Sequence, residues 1–380
     1  MSDQKSIYLH IPFCIKKCVY CDFCSTTRLF WIPDYIRCLK KEIERRSGSK
    51  KKISTIYFGG GTPSLLSVKD VEMLLQTIGD NFDVLRDAEI TFEVNPGTID
   101  FYYLKELKSA GINRLSIGAQ SFNDEKLKFS GRIHTAEQAG NTIDYARKAG
   151  FDNISLDLIF GLPFETKTIW LEDLNKALAM MPSHLSCYML TIESKTPLGE
   201  KVKKGLVTPI SRNAMLELFK TTSRFLGEFE YEHYEISSFA KGFQNRSKHN
   251  AKYWDRTPYY GFGAAAHSFD GNARAWNHHS IKIYIKDINA GRLPVEDSET
   301  LTLEQKMLEM IMLRLRTLEG LDLAEFKTLF NISFEAQFKD MLEQILEGSS
   351  GLIKDGRFML TLEGKTCLNS IVEGFAGKIL

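Results

Sequence analysis

The sequence predicts an α/β protein: a partial (β/α)6 TIM-like barrel, an irregular aromatic cap region and a C-terminal winged-helix-like appendage. Three observations predict it. Six short runs rich in β-branched and aromatic residues alternate with six amphipathic helical patterns from the N-terminus onward. The alternation stops near residue 230, two units short of a closed eight-fold barrel. Past residue 301 the order changes to helices followed by a hairpin.

The strand-like runs are "SIYLHIP" (6–12), "ISTIYFG" (53–59), "AEITFEVNP" (88–96), "RLSIGAQS" (114–121), "ISLDLIFGLP" (154–163) and "HLSCYMLTIE" (184–193). Most are apolar at both alternations, which predicts strands covered on both faces, as in parallel sheets. Helices are predicted over 34–46, 68–79, 99–111, 135–150, 168–180 and 212–229, from apolar residues at three- and four-residue intervals. Two of them end in "AG", where glycine takes the left-handed cap conformation. Consecutive βα units give a parallel sheet with right-handed crossovers. From 230 to 290 the pattern turns irregular and aromatic, and reads as a functional cap. From 301, "LEQKMLEMIMLRLRT" is an amphipathic helix, and "GLIKDGRFMLT" reads as two strands about a DG turn. These shifts divide the chain into a barrel (1–230), a cap (231–300) and an appendage (301–380).

Composition narrows the function. A formal charge of +1, from 49 basic and 48 acidic residues, advertises no polyanionic partner. The appendage carries 9 Lys/Arg against 12 Asp/Glu, so it is expected to dock a partner and not nucleic acid. "MSDQKS" lacks an apolar signal core, and no run reaches the ~18–20 apolar residues of a membrane helix. Seven cysteines, three of them scattered singly (Cys38, Cys187, Cys367), fit a reducing cytosol better than a disulfide framework. A cytoplasmic location is the expectation, with any membrane association arising through partners.

Chemistry-bearing residues gather at the predicted C-terminal ends of the strands, where α/β folds build their sites. Strand one runs into "CIKKCVYCDFC", with Cys14, Cys18, Cys21 and Cys24 on one loop. Strand two ends in "GGGTP" (59–63), strand three carries Glu93, strand four Gln120 and strand five Asp157. Thiolates at C-x3-C-x2-C can hold three corners of an iron–sulfur cubane and leave the fourth iron open. A structural zinc is the next reading, although zinc modules usually place cysteine pairs on separate segments. Simple buried thiols come third. Consecutive glycines let backbone approach a ligand closely. Glu93 and Asp157 read either as satisfied buried acids or as partners for a cationic, ribose-bearing ligand.

With these motifs in view, the chain resembles the radical S-adenosylmethionine superfamily: the three-cysteine loop, Tyr20 before the third cysteine, and "GGGTP" carry the likeness. The finer text "YLHIPFC", "YFGGGTPSLL", "GAQSF", "GRIH" and "DLIFGLP" is similar to the branch containing oxygen-independent coproporphyrinogen III oxidase and the HemW-type heme chaperones. The resemblance covers nearly the whole chain. It implies a [4Fe–4S] cluster on Cys14, Cys18 and Cys21, with S-adenosylmethionine on the open iron. It further implies that Tyr8, Gly60, Gly61, Thr62 and Glu93 surround that molecule. Gln120, Arg132 and Asp157 match positions that surround a second S-adenosylmethionine in the oxidase. Cys24 departs from both patterns and is not counted as a ligand.

The oxidase type carries an N-terminal extension before its first strand, whereas this strand begins after five residues. The chaperone type carries H-N-x-x-Y-W, and residues 249–254 read "HNAKYW". The resemblance therefore implies a heme chaperone, with His249 as axial iron ligand and Tyr253 and Trp254 against the macrocycle. His267 and the pair His278–His279 are second choices. The implied partners are heme, acceptor hemoproteins such as membrane respiratory enzymes, and a second copy of the chain joined through the aromatics of 253–262. The alternative is a coproporphyrinogen oxidase that decarboxylates propionates by radical chemistry. A radical enzyme acting on an unrelated substrate is the third reading.

Overall fold

Each of the six major helices starts where a side-chain cap or a proline permits it. Ser67, Asp100, Thr166 and Ser211 accept hydrogen bonds from the first turns of Val68–Asn81, Phe101–Ser109, Lys167–Ala179 and Arg212–Glu228. Thr135 and Gln138 form a reciprocal capping box on Ala136–Lys148, and a proline opens Ile32–Arg46. Between these helices run β1 (Gln4–Ile11), β2 (Lys52–Gly60), β3 (Asp83–Val94), β4 (Arg114–Gln120), β5 (Asn153–Phe160) and β6 (His184–Met189). They pair in parallel in that order. The computed structural model describes residues 4–47 and 50–379.

The two faces of these strands differ, which the sequence reading did not anticipate. Ile7, Leu9, Phe58, Phe92, Ile117, Leu156 and Leu185 join helix residues such as Leu39, Val71, Ile143 and Trp170 in one buried core. The alternate residues form a polar interior face: Tyr8 and His10, Thr55 and Tyr57, Thr91 and Glu93, Ser116, Asp157, His184 and Ser186. Cross-strand hydrogen bonds satisfy most of it, Thr55 to Ser6 at 2.9 Å, Ser116 to Asp157 at 2.8 Å and Ser155 with His184 at 2.8 Å, while the Thr91 hydroxyl is left without a partner among the described residues. Tyrosines and small hydroxyls tolerate burial when paired, so these strands read as apolar throughout.

The predicted irregular cap contains six short strands that join the barrel sheet. β7 (Glu232–Glu235) and β8 (Ser238–Ala240) extend the β6 edge. β9 (Tyr259–Phe262) lies parallel to β1 on its other side, followed by β10 (His267–Phe269), β11 (Ala273–Asn277) and β12 (Val295–Thr300) in antiparallel. The result is a twelve-stranded mixed sheet with a parallel centre. Buried Glu42 anchors this extension. It accepts from Gly263 N at 2.9 Å, Asn277 Nδ2 at 2.7 Å and Tyr284 OH at 2.7 Å, while Arg46 stands at 3.2 Å.

The C-terminal residues form a second core, in which Phe326, Phe334, Phe338, Phe358 and Phe375 pack together. Its sheet comprises β13 (Leu321–Asp322), β14 (Gly351–Lys354) and β15 (Arg357–Leu360), all antiparallel. Asp355 and Gly356 both take positive φ (50° and 71°), as the tight turn of the hairpin requires. No helix among the described residues is long and apolar enough to cross a membrane.

Candidate functional site

The cysteine loop leaves β1 at the rim of the parallel sheet and is tied down at both ends. Cys14 N donates to Thr26 O at 3.0 Å, Thr26 N to Pro12 O at 2.7 Å and Val19 N to Ser130 O at 3.1 Å. Cys14, Cys18 and Cys21 are partly exposed and unbridged. Burial pushes the Cys14 and Cys21 thiols up, and each thiol lies within the electrostatic reach of Cys18. Arg132 Nη1 stands 3.6 Å from Cys18 Sγ, and Thr62 Oγ1 lies 3.6 Å from Cys14 Sγ. A cation and a hydroxyl thus stand beside two of the sulfurs that a soft metal would take.

The glycines of "GGGTP" are required by close approach. A Cβ on Gly61 would sit 3.0 Å from Cys14 Sγ and 2.7 Å from Phe13 O. Gly60 has φ +115°, and its Cβ would meet the His10 ring at 2.8 Å. Beside them, Glu93 accepts from Gly60 N at 3.2 Å and Tyr57 OH at 2.8 Å. Burial raises Glu93 to about 8, and nearby Asp157 adds to the effect. Tyr8 stacks on Tyr57 with ring centroids 6.1 Å apart and bonds His10 Nδ1 at 3.1 Å.

Tyr8, Cys14, Gly60, Gly61, Thr62 and Glu93 therefore converge on one corner, at the ends of β1–β3. Gln120 at the end of β4 and Arg132, just past the helix Asp124–Ser130, flank it: Arg132 Nη2 donates to Gly118 O at 2.8 Å, and Gln120 is held at φ 63°. Asp157 lies deeper on the interior face, bonded by Ser116 at 2.8 Å and Ser155 at 3.3 Å, and burial raises it. Arg132 thus belongs with the cysteine loop more than with Asp157. Three thiols on one loop, an adjacent cation and backbone stripped of Cβ fit a polynuclear thiolate-bound centre. Among the described residues no three ligating side chains close on one metal ion. A cubane does not ask this, since each cysteine meets a different iron.

His249 is placed elsewhere. Helix Lys248–Trp254 covers the opposite end of the interior, with Lys248 N and His249 N donating to buried Glu89 at 3.1 and 2.9 Å. The His249 ring is 1% exposed; Nδ1 bonds Thr55 Oγ1 and Nε2 bonds Tyr253 OH, both at 2.9 Å. Burial lowers it to about 3, so the ring is neutral, and both nitrogens are engaged. Cys24 Sγ donates to His279 O at 3.2 Å.

Sequence reasoning missed His10, whose Nε2 bonds Cys24 O at 2.8 Å and whose ring underlies Gly60. The signal was present, because His10 shares its strand face with Tyr8 two residues earlier. It also missed the buried ion cluster of Lys126, Glu165 and Asp173. Asp173 binds Ser121 Oγ and Phe122 N at 2.7 Å each, while Glu165 accepts from Gly161 N and Leu162 N, so this cluster fixes the "AQSF" and "GLP" turns.

Residues 8–177 match the model of the Radical SAM superfamily, and residues 301–366 match that of the HemN C-terminal domain. The heme chaperone HemW of Bacillus subtilis is 34% identical over 99% of this chain and 100% of its own. The chain belongs to the HemW family. HemW of Escherichia coli is likewise 34% identical, over 97% of both chains. A zebrafish relative, the mitochondrial radical S-adenosyl methionine domain-containing protein 1, is 32% identical over 97% of this chain and 86% of its own. Coproporphyrinogen III oxidase HemN of E. coli shares the fold at a TM-score of 0.85, with 24% identity over 98% of this chain and 89% of that one. The central sheet of this HemW-family protein is accordingly a TIM-like radical SAM barrel within a larger mixed sheet.

Proposed function

We propose that this protein is a heme chaperone: it binds a [4Fe–4S] cluster and S-adenosylmethionine at the rim of the barrel, takes up heme, and hands it to acceptor proteins. The observation that carries the reading is the match to named heme chaperones over essentially the entire length of both chains. Cys14, Cys18 and Cys21 would hold the cluster, which when bound with S-adenosylmethionine supplies a redox-active, radical-competent centre.

The chain's own residues do the rest. Arg132 stabilises sulfur charge at Cys18, and Thr62 does so at Cys14. Gly60 and Gly61 let backbone reach the cofactor, with Tyr8 and Glu93 forming the adjoining wall. Gln120 and Asp157 line the interior beyond it. We read residues 1–230 as the cofactor barrel, 231–300 as the heme-handling region and 301–380 as a winged-helix-like docking module for acceptors. The setting is cytoplasmic, with membrane hemoproteins reached through docking and a second copy of the chain as a further partner; the expected surface at 253–262 does not serve it, because residues 259–262 lie inside the sheet between β1 and β10. His249, with both nitrogens occupied, enters as the residue that seats Tyr253 and closes the base of the barrel.

The alternative, an oxidase acting on porphyrinogen propionates, is favoured by one observation: Gln120, Arg132 and Asp157 all stand at or below the cofactor corner. To separate the two, anaerobically reconstituted protein is loaded with heme and mixed with an apo-hemoprotein. Movement of the Soret band to that of the acceptor supports the chaperone; heme that is never bound, or never released, counts against it.

A further inference from the structure

A cleft with about 250 Å³ of free volume opens between the β9–β11 face and helix Leu303–Arg314. Its walls are apolar and aromatic: Tyr253, Tyr259, Phe269, Met312 and Leu313. Two guanidiniums, Arg256 and Arg274, converge on the single carboxylate of Glu309 inside it. His267 stands at its edge, stacked on Trp276 with ring centroids 5.8 Å apart.

The chain has eight histidines, and iron needs one with a free nitrogen lone pair. His10, His134, His184, His233 and His249 each have both ring nitrogens hydrogen-bonded. His278 faces Asp287 at 3.3 Å and Glu296 at 3.7 Å. Among the described residues that leaves His267 and His279, and of these His267 lines the cleft. Partial burial, with the Arg274 guanidinium nearby, holds the His267 ring below its ordinary value.

We propose that heme is carried in this cleft, with His267 as the axial ligand, the macrocycle against Tyr259 and Phe269, and the propionates toward Arg256 and Arg274. This rests on the heme-chaperone reading and deepens it. The site suits transfer. The ligand is on a short strand with His267 itself exposed, and the cleft opens to solvent, where an acceptor's own ligand can reach the iron. Tyr253 links the cleft to the H-N-x-x-Y-W helix, because its hydroxyl bonds His249 while its ring forms the cleft wall. This gives the motif a role in shaping the site without requiring its histidine to leave the interior.

The test is a heme titration of full-length, cluster-reconstituted protein, followed by Soret absorbance and by EPR of the ferric complex. His267→Ala should raise the heme Kd at least tenfold and remove the imidazole ligand signature, while cluster absorbance and circular dichroism stay as in the parent. Arg274→Gln should weaken heme binding but not binding of heme dimethyl ester, which lacks propionate charge. Parental affinity and EPR in His267→Ala overturn the assignment. So does loss of the imidazole signature in His249→Ala alone, which moves the ligand to the barrel base. A parent that binds no heme overturns the chaperone reading along with the site.

Discussion

Thr55 and His249, 194 residues apart in the chain, are hydrogen-bonded at 2.9 Å inside the barrel. The bond joins the middle of β2 to the helix Lys248–Trp254, within the region predicted as an irregular cap. Around it the interior is layered: Thr55 and His249 at the base, Tyr57 with Glu93 above them, and the cysteine loop at the rim.

Loss of any one of Cys14, Cys18 or Cys21 to alanine should abolish the broad visible absorbance of the reconstituted cluster. Cys24→Ala should keep it, because the Cys24 sulfur is engaged by His279 O at 3.2 Å and stands outside the C-x3-C-x2-C set. Iron content and Mössbauer spectra of the four variants check this.

Glu93 is raised to about 8, so it is protonated at pH 7 when no cation faces it. Binding a sulfonium beside it favours the carboxylate and releases a proton. S-adenosylmethionine affinity should fall by up to about tenfold per pH unit below pH 8, and Glu93→Gln should flatten that slope. Calorimetry in buffers of differing ionisation enthalpy reads the proton directly; no buffer dependence would contradict it.

Lys126 is wholly buried between Glu165 and Asp173. Lys126→Met leaves two acids facing each other without a cation, a loss of about 3–5 kcal/mol. The urea midpoint should drop accordingly, and because the cluster fixes the turn after Gln120, S-adenosylmethionine affinity should drop too.

His233 is buried and lowered to about 3. Its folded value lies below the unfolded one, so it is neutral in both states above about pH 6.5, and the unfolded state binds the extra proton below that. It should remove about 1.4 kcal/mol of stability per pH unit between roughly pH 6.5 and 3. His233→Gln should reduce the pH dependence of the urea midpoint by one proton over that window.

Much of this was legible in the sequence. All six barrel strands and six major helices sit close to their predicted ranges, because apolar outer faces such as Leu9, Phe58 and Leu156 impose a strong pattern. The cysteine loop, "GGGTP" and Glu93 were legible for a related reason, since topology sends every strand end to one rim. The strands of 231–300 were not. They run three to six residues, too short for a periodicity signal, and β9 pairs with β1 from about 250 residues away, a contact no local pattern encodes. The burial of His249 was not legible, because Glu89 and Thr55, which hold it, lie far off in sequence.

The central claim is tested most directly by titrating the anaerobically reconstituted protein with heme and assaying coproporphyrinogen III decarboxylation on the same sample. Stoichiometric heme binding, a clear Soret band and no decarboxylation are expected of a heme chaperone. Weak heme binding accompanied by S-adenosylmethionine-dependent decarboxylation would contradict that claim and make the four-cysteine loop a site of catalytic radical generation.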